Sequence, residues 1–284
     1  MNETIPTCTL GELMIYQIAL TIENNSLVFH GFGSPLVQLA LHVAKRFLAP
    51  ELILVAGATY AVNPTPVFLT PTTNDFAMSL GAECQLNIEE LFDLAASGRM
   101  GRMFLSGLQI DRFGNINVTC LGAPDKPGLK LPGGGGGGNL SCDARHITIW
   151  TAAHRALPDA EGKRRYRLGS RCDFVTSLGH YTDNGIARTA LSLRGLGPDR
   201  IVTDLGVFDF NEQGHARLRA MYPDTSVELI AENTEFEFPV ADDLSTAALP
   251  DLDMIQFIRK LDPMNIHQHE LSPADRERCF ELGA

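Results

Sequence analysis

The chain has 284 residues, a 44% hydrophobic fraction, a mean hydropathy near zero and a formal net charge of −11 with a pI near 5.1. That length buries one large core or two modest ones. The acidic balance argues against nucleic acid or an anionic membrane as main partner, since both would be repelled.

Cys8, Cys84, Cys120, Cys142, Cys172 and Cys279 are scattered, with no CxxC pair. A disulfide scaffold would be denser and a zinc site would show paired spacing, so free thiols in a reducing compartment and no metal are expected. The opening MNETIPTCTL lacks a basic signal-peptide region, and no apolar run reaches the roughly 18 residues of a membrane helix. A cytoplasmic protein is the expectation.

In chain order, Leu27–His30 reads as a short strand followed by Gly31-Phe32-Gly33. Ser34 then caps a helix with Pro35 at its first position, where a missing amide costs nothing. Leu36, Val37, Ala40, Leu41 and Ala44 recur at helical spacing through Phe47. Leu52–Ala56 is a continuous apolar run, as for a strand covered on both faces. Asn87 and Glu90 form a capping-box signature for a helix that Gly98 closes. Met103–Ser106 is another buried strand. Further strands are expected at 146–151, 172–176, 200–204 and 226–230, with a helix over Asp251–Leu261. The alternation defines an α/β class. No repeat or boundary is visible, so 1–284 reads as a single domain.

Six consecutive glycines, Gly133 to Gly138, lie between Pro132 and Asn139. Ordering them is costly, because glycine loses more backbone freedom than any other residue. A slack linker is one reading. The preferred one is a loop whose bare amides approach a ligand, since strand-like sequence resumes at His146–Trp150 and linkers are usually longer and polar.

Gly31-Phe32-Gly33 before a capped helix is equally a structural turn or an anion-binding loop, and it lacks the third glycine of a dinucleotide fingerprint. Asp111–Asn117 reads as a hairpin turn with a local Asp111–Arg112 pair, Gly114 or Asn115 taking positive φ. Gln109, near a strand end, is placed to donate to a ligand oxygen. His154 is a candidate acid or base, though a helix-start or surface position is the plainer reading. His267-Gln268-His269 alternates imidazoles without a partnering ligand and reads as a solvated tail. Asp183 and His180 form no readable triad. The residues 158–171 look like a basic surface excursion, with Lys163, Arg164, Arg165 and Arg167 more simply solvated than bound to phosphates.

Four segments in order, SGLQIDRFGNIN (106–117), LPGGGGGGN (131–139), VTDLGVFDF (202–210) and ENTEFEF (232–238), resemble the β subunit of family I CoA-transferases of the glutaconate type. The likeness runs from about residue 28 to about 265. It implies an open, mostly parallel sheet with helices on both faces, and a homologous, separately encoded α subunit, often in an α2β2 assembly. It also implies an acyl-CoA substrate, coenzyme A entering as part of that substrate with no permanently bound cofactor. In such transferases a β-subunit glutamate attacks the thioester and becomes a glutamyl-CoA thioester, dividing transfer into two exchanges. By motif, Gln109, Gly137 and Gly138 would stabilise the oxyanion. Gly31, Gly33, Gly133, Gly134, Gly135, Gly136 and Asn139 would line the substrate.

One departure is large. The nucleophilic glutamate normally ends the strand read here as Leu52–Ala56, and the matching position, within one or two residues, is Gly57. None of Val55, Ala56, Gly57 or Ala58 can attack a thioester. Glu51 lies at the opposite strand end, and Glu83 and Glu89 belong to other segments and are not expected to replace it. Relatives without this glutamate hydrolyse a carbon–carbon bond in cyclic β-oxo acyl-CoA thioesters or decarboxylate a glutaconyl-type CoA ester. The resemblance therefore implies a hydrolase or lyase subunit first. A transferase recruiting a carboxylate from elsewhere comes second, and a non-catalytic partner subunit third.

Overall fold

The computed structural model describes residues 6–57, 59–72, 74–158, 161–162 and 164–282. They form two compact units, one of the residues up to Leu91 together with those from Ala248 onward, the other of Phe92–Ala247.

The first unit opens with β1 (Thr7–Thr9) and α1 (Leu10–Ala19), a helix absent from the expected elements. A capping box starts it: Glu12 N donates to Thr9 Oγ1 at 3.3 Å, and Thr9 N donates to the Glu12 carboxylate at 2.7 Å. Glu12 is buried, and Arg259 pairs with its carboxylate at 2.6 Å, so the charge is not left alone in the core. β2 (Leu27–His30) runs parallel to β3 (Ile53–Val55), with Phe29 opposite Val55. Between them α2 (Pro35–Val43) starts as expected, Val37 N donating to Ser34 Oγ at 3.3 Å. It runs on into a π turn, Ala44–Leu48, closed by Ala49 N to Ala44 O at 2.7 Å. β4 (Ala61–Val62) pairs antiparallel with β3, and β5 (Cys84–Gln85) with β4. α3 (Ile88–Ala96) carries the chain out of this unit, with Asn87 N donating to the Glu90 carboxylate at 2.6 Å.

In the second unit β6 (Met100–Leu105) is followed by two short hairpins, β7 (Gln109–Ile110) with β8 (Ile116–Asn117), and β9 (Cys120–Leu121) with β10 (Leu129–Lys130). Next come α4 (Gly137–Asp143), β11 (His146–Thr151), β12 (Pro198–Thr203), β13 (Gly206–Phe210), β14 (Ala216–Met221), α5 (Val227–Glu232) and β15 (Val240–Thr246). β11 runs parallel to both β6 and β12; β13 and β14 add antiparallel, and β15 adds parallel to β14. Buried Arg102 ties three strands together, donating to both Asp199 carboxylate oxygens at 2.6 and 2.8 Å and to Thr148 Oγ1 at 2.9 Å. Its bidentate fork leaves the buried charge paired.

Two expected strands are corrected. The residues 226–230 are helical because Ser226 caps them, Leu229 N donating to its Oγ at 3.2 Å. The residues 172–176 form no strand, since Asp173 N and Thr176 N are spent on Gln109 Oε1 at 2.9 Å and Ile116 O at 2.8 Å.

The chain then returns to the first unit through α6 (Leu252–Leu261) and a 3-10 turn at Ile266–Glu270. It ends in β16 (Cys279–Glu281), antiparallel to β1. The expected solvated tail at His267-Gln268-His269 is thus only partly right. His269 is exposed, but His267 is buried with Nδ1 2.6 Å from Asp262 Oδ2. The α/β class holds, with parallel strands at β2–β3 and β6–β11–β12 and antiparallel strands beyond them.

Candidate functional site

The glycine run is ordered by its neighbours. Gly133 and Gly135 have φ of +86° and +50°, a region that L side chains rarely adopt. A Cβ at Gly134 would lie 2.7 Å from Thr176 Cγ2, and one at Gly136 2.6 Å from Phe92 Cζ. Gly133 N donates to Val118 O at 2.8 Å, and Val118 N donates to Thr176 Oγ1 at 3.0 Å. Of the two amides expected to meet an oxyanion, Gly137 donates to Gly134 O at 2.7 Å and so closes the loop's own turn. Gly138 sits one residue further into the first turn of α4, where helix amides have no intrahelical acceptor. Asn139 follows it, exposed.

Gln109 opens β7 opposite Asn117. Its Oε1 accepts from Asn117 Nδ2 at 2.7 Å and from Asp173 N at 2.9 Å, which fixes the amide orientation. Its Nε2 donates to Asp173 Oδ2 at 3.2 Å, and the amide carries a second hydrogen beyond that bond. Asn117 thus holds Gln109 while Val118 and Thr119 hold Gly133 and Leu131, so three consecutive residues anchor Gln109 and the start of the glycine run.

Beside them a cavity of about 560 Å³ is lined by Asp111, Arg112, Phe113, Cys172, Asp173 and Asp183 among others. The hairpin turn forms as expected, with Gly114 at φ +75°. Asp111 holds it by accepting from Phe113 N at 2.9 Å and from Asn115 N and Nδ2 at 3.0 and 2.8 Å. Arg112 lies over the Phe113 ring at 4.9 Å, in place of the expected Asp111–Arg112 pair. Burial raises the Asp111 carboxyl against those hydrogen bonds, and pushes the Cys172 thiol up far enough to make it a poor nucleophile.

In the first unit, Gly57 lies directly on the β2 end. Gly57 N donates to His30 Nε2 at 3.2 Å. A Cβ at Gly57 would lie 2.5 Å from Gly31 O and closer still to His30 O. Since His30 Nε2 accepts, its Nδ1 carries the proton and donates to Gly31 O at 2.9 Å; burial lowers its pKa to about 4. Ala56 is closed off by Ala56 N to Ala61 O at 2.9 Å and Tyr60 N to Ala56 O at 2.8 Å; Ala58 lies outside the described residues. Gly31 and Gly33 face open space, Gly33 at φ +67°, and Phe32 between them is exposed.

The fold brings two carboxylates near these segments, an approach that the sequence does not announce. Glu89, which belongs to another segment of the sequence, lines a cavity of about 500 Å³ together with Thr59 and Tyr60. The Ala61–Gln85 pairing of β4 with β5 brings them together, a register that no local pattern announces. Glu270 accepts from Leu36 N at 2.9 Å in the first turn of α2, and burial raises its pKa to about 7.

Other candidates are structural. His154 is fully buried rather than superficial, its ring nitrogens 3.0 and 2.9 Å from the Thr203 and Thr234 hydroxyls, and burial lowers its pKa to about 3. His180 donates to Pro198 O at 2.7 Å, apart from Asp183 in any triad sense. Arg167 is half-buried and donates to Gly107 O at 3.0 Å, so it is not a solvated loop residue; Lys163 lies outside the described residues. Among the described residues no cluster of His, Cys, Asp and Glu is built to hold a metal ion, and no helix is long and apolar enough to cross a membrane.

The chain belongs to the Coenzyme A transferase family, whose sequence profile matches residues 12–233. It is 30% identical over 263 residues to the B-type chain of glutaconate CoA-transferase from Acidaminococcus fermentans, spanning 90% of this chain and 93% of that one. It is 26% identical over 287 residues to the cholesterol ring-cleaving hydrolase IpdB subunit of Rhodococcus jostii, spanning 96% and 100%. The crystal structure of the decarboxylase AibA/AibB superposes with a TM-score of 0.77 at 28% identity, covering 93% of this chain and 98% of the matched one. The family and fold implied by the four motifs are therefore those of this chain, and its relatives divide between transfer and other reactions.

Proposed function

We propose that the chain is the β-type subunit of a heteromeric enzyme acting on acyl-CoA thioesters by oxyanion or enolate stabilisation, of the C–C hydrolase or decarboxylase type. The observation that carries this reading is Gly57: the position matched by motif to the family nucleophile, within one or two residues, has no side chain, and the His30–Gly31 carbonyls occupy the space one would need. In decarboxylation, CO₂ leaves without the electrons of the broken C–C bond, which stay on the substrate as a carbanion conjugated with the thioester and are then protonated. In C–C hydrolysis, water adds to the β-oxo carbonyl and the departing carbon becomes a thioester enolate, which is then protonated. Both place negative charge on the thioester oxygen. The Gly138 amide and the second Gln109 hydrogen would stabilise that charge, and preorganised donors of this type are worth about 10²–10³-fold in rate. The general base and the remaining substrate contacts would come from a homologous α subunit in an α2β2 assembly in the cytoplasm. Coenzyme A would enter as part of the substrate.

A second reading has one specific observation behind it. Glu89 lines a cavity with Thr59 and Tyr60, two and three residues beyond Gly57, so a carboxylate from α3 could serve in CoA transfer. The test is to co-express the chain with its genomic neighbour and to follow thioesters by mass spectrometry. The substrates are glutaconyl-CoA with acetate, and separately a cyclic β-oxo acyl-CoA. Loss of CO₂ or a ring-opened acid supports the first reading. Acetyl-CoA formation overturns it in favour of transfer.

A further inference from the structure

A separate cavity of about 580 Å³ in the first unit is lined by His42, Lys45 and Arg46 from α2 and its π turn, by Lys260 and Phe257 from α6, and by Val67. Among the described residues no carboxylate lines it, in a chain of net charge −11. Arg46 and Lys260 are exposed and unpaired among the described residues. Lys45 Nζ donates to Leu52 O at 2.5 Å and Pro50 O at 3.3 Å and keeps a third hydrogen. His42 is only 8% exposed, and its ring makes no hydrogen bond among the described residues, although it borders the cavity. The opposite character is present too. Phe257, braced edge-on by Phe47 at 5.6 Å, joins Val67, Pro64 and Pro66 in an apolar wall. Asn63 at the margin donates to Oε1 of the exposed Glu83 at 3.0 Å.

We propose that this cavity binds a ring-bearing organic phosphate of the nucleotide class. Lys45, Arg46 and Lys260 meet the phosphates, His42 supplies a polar contact at the floor, and the Phe257 wall holds the ring. Three cations offset most of the charge of a bisphosphate, and guanidinium and ammonium groups are the natural partners of phosphate oxygens. The volume suits a small organic molecule rather than a bare ion. Two sources share this chemistry, the nucleotide end of an acyl-CoA thioester and a free nucleotide. The site stands independently of which reaction the enzyme performs, because its test reads binding without turnover.

Calorimetric titration of the full chain with adenosine 3′,5′-bisphosphate is expected to show saturable binding. The double variant Arg46→Ala/Lys260→Ala is expected to weaken it at least 10-fold. The control Lys126→Ala/Lys130→Ala, also exposed but in the other unit, should leave it unchanged. Melting temperatures check that all variants are folded. No saturable binding by the wild-type chain, equal binding by the double variant, or pyrophosphate binding as tightly as the bisphosphate would each overturn the proposal. Competition then assigns the source: displacement by acetyl-CoA with the same variant sensitivity identifies the thioester's nucleotide end, and displacement by ADP alone identifies a free nucleotide.

Discussion

The amide of Gly57 donates to Nε2 of His30 at 3.2 Å, and this contact sets both partners. It fixes the histidine as a neutral tautomer and draws the loop after β3 so close to β2 that no Cβ fits. Gly57→Ala is expected to lose roughly 1–3 kcal/mol of stability, because the obstructing atoms are backbone carbonyls that move only with their strand. Urea denaturation checks this; a loss below about 0.5 kcal/mol, the range of neutral surface changes, would show that the loop yields freely. Gly57→Glu is expected to destabilise further without creating transferase activity.

Gln109→Ala should lower turnover about 10²-fold, as for a lost oxyanion donor. Asn117→Ala removes one of the two donors on Gln109 Oε1 and leaves Asp173 N on it, so it should cost less in kcat, while the lost bonds to Thr119 N, Cys120 N and Cys120 O lower stability as well. Steady-state kinetics on the co-expressed complex checks both, and unchanged turnover in Gln109→Ala would remove this residue from the chemistry.

Glu270 predicts a pH effect of one sign. Its pKa is raised from the ordinary 4.5 to about 7, so between those values the folded chain holds a proton that the unfolded chain releases. Its stabilising contribution is full below about pH 4.5 and is lost as pH rises through 7. Glu270→Gln keeps an acceptor for Leu36 N and should be the more stable protein at pH 8, by up to about 3 kcal/mol. A less stable variant at pH 8 would contradict this.

The buried histidines act in the other direction. His30 and His42 are lowered to about 4 and His154 to about 3, chiefly by burial. Below the ordinary 6.5 the unfolded chain takes up protons that the folded chain refuses, so stability falls as pH drops toward 4. The slope is at most about 1.4 kcal/mol per pH unit for each histidine. Three histidines outweigh the opposing Glu270 over this window. Denaturation midpoints at pH 7.5, 6.5 and 5.5 should therefore decline, and His154→Gln should flatten the decline.

Local chemistry makes much of this legible in the sequence. Ser34 with Pro35, Asn87 with Glu90, and the apolar run before Gly57 all signal through near neighbours, and each element forms where expected. The signal for α1, absent from the expected elements, is equally local and lies in the Thr9–Glu12 capping box. The apolar alternation of Val227 and Leu229 suggests a strand until the cap at Ser226 is weighed against it. Long-range pairing is the illegible part. The buried state of His154, the convergence of Glu89 with Thr59, and the commitment of Gln109 to Asp173 depend on partners as far as 80 residues away. The motif can name Gln109 and the glycines, but only the fold shows that Gly137 spends its amide inside the loop.

Covalent trapping tests the central claim most directly. The co-expressed complex is incubated with acyl-CoA, treated with borohydride or hydroxylamine, and its peptides are mapped by mass spectrometry. The account predicts no modified glutamate anywhere in this chain while substrate is turned over. A glutamate modified in an acyl-CoA-dependent manner, with Glu89 the foremost candidate, would contradict it and establish a transferase that has moved its nucleophile.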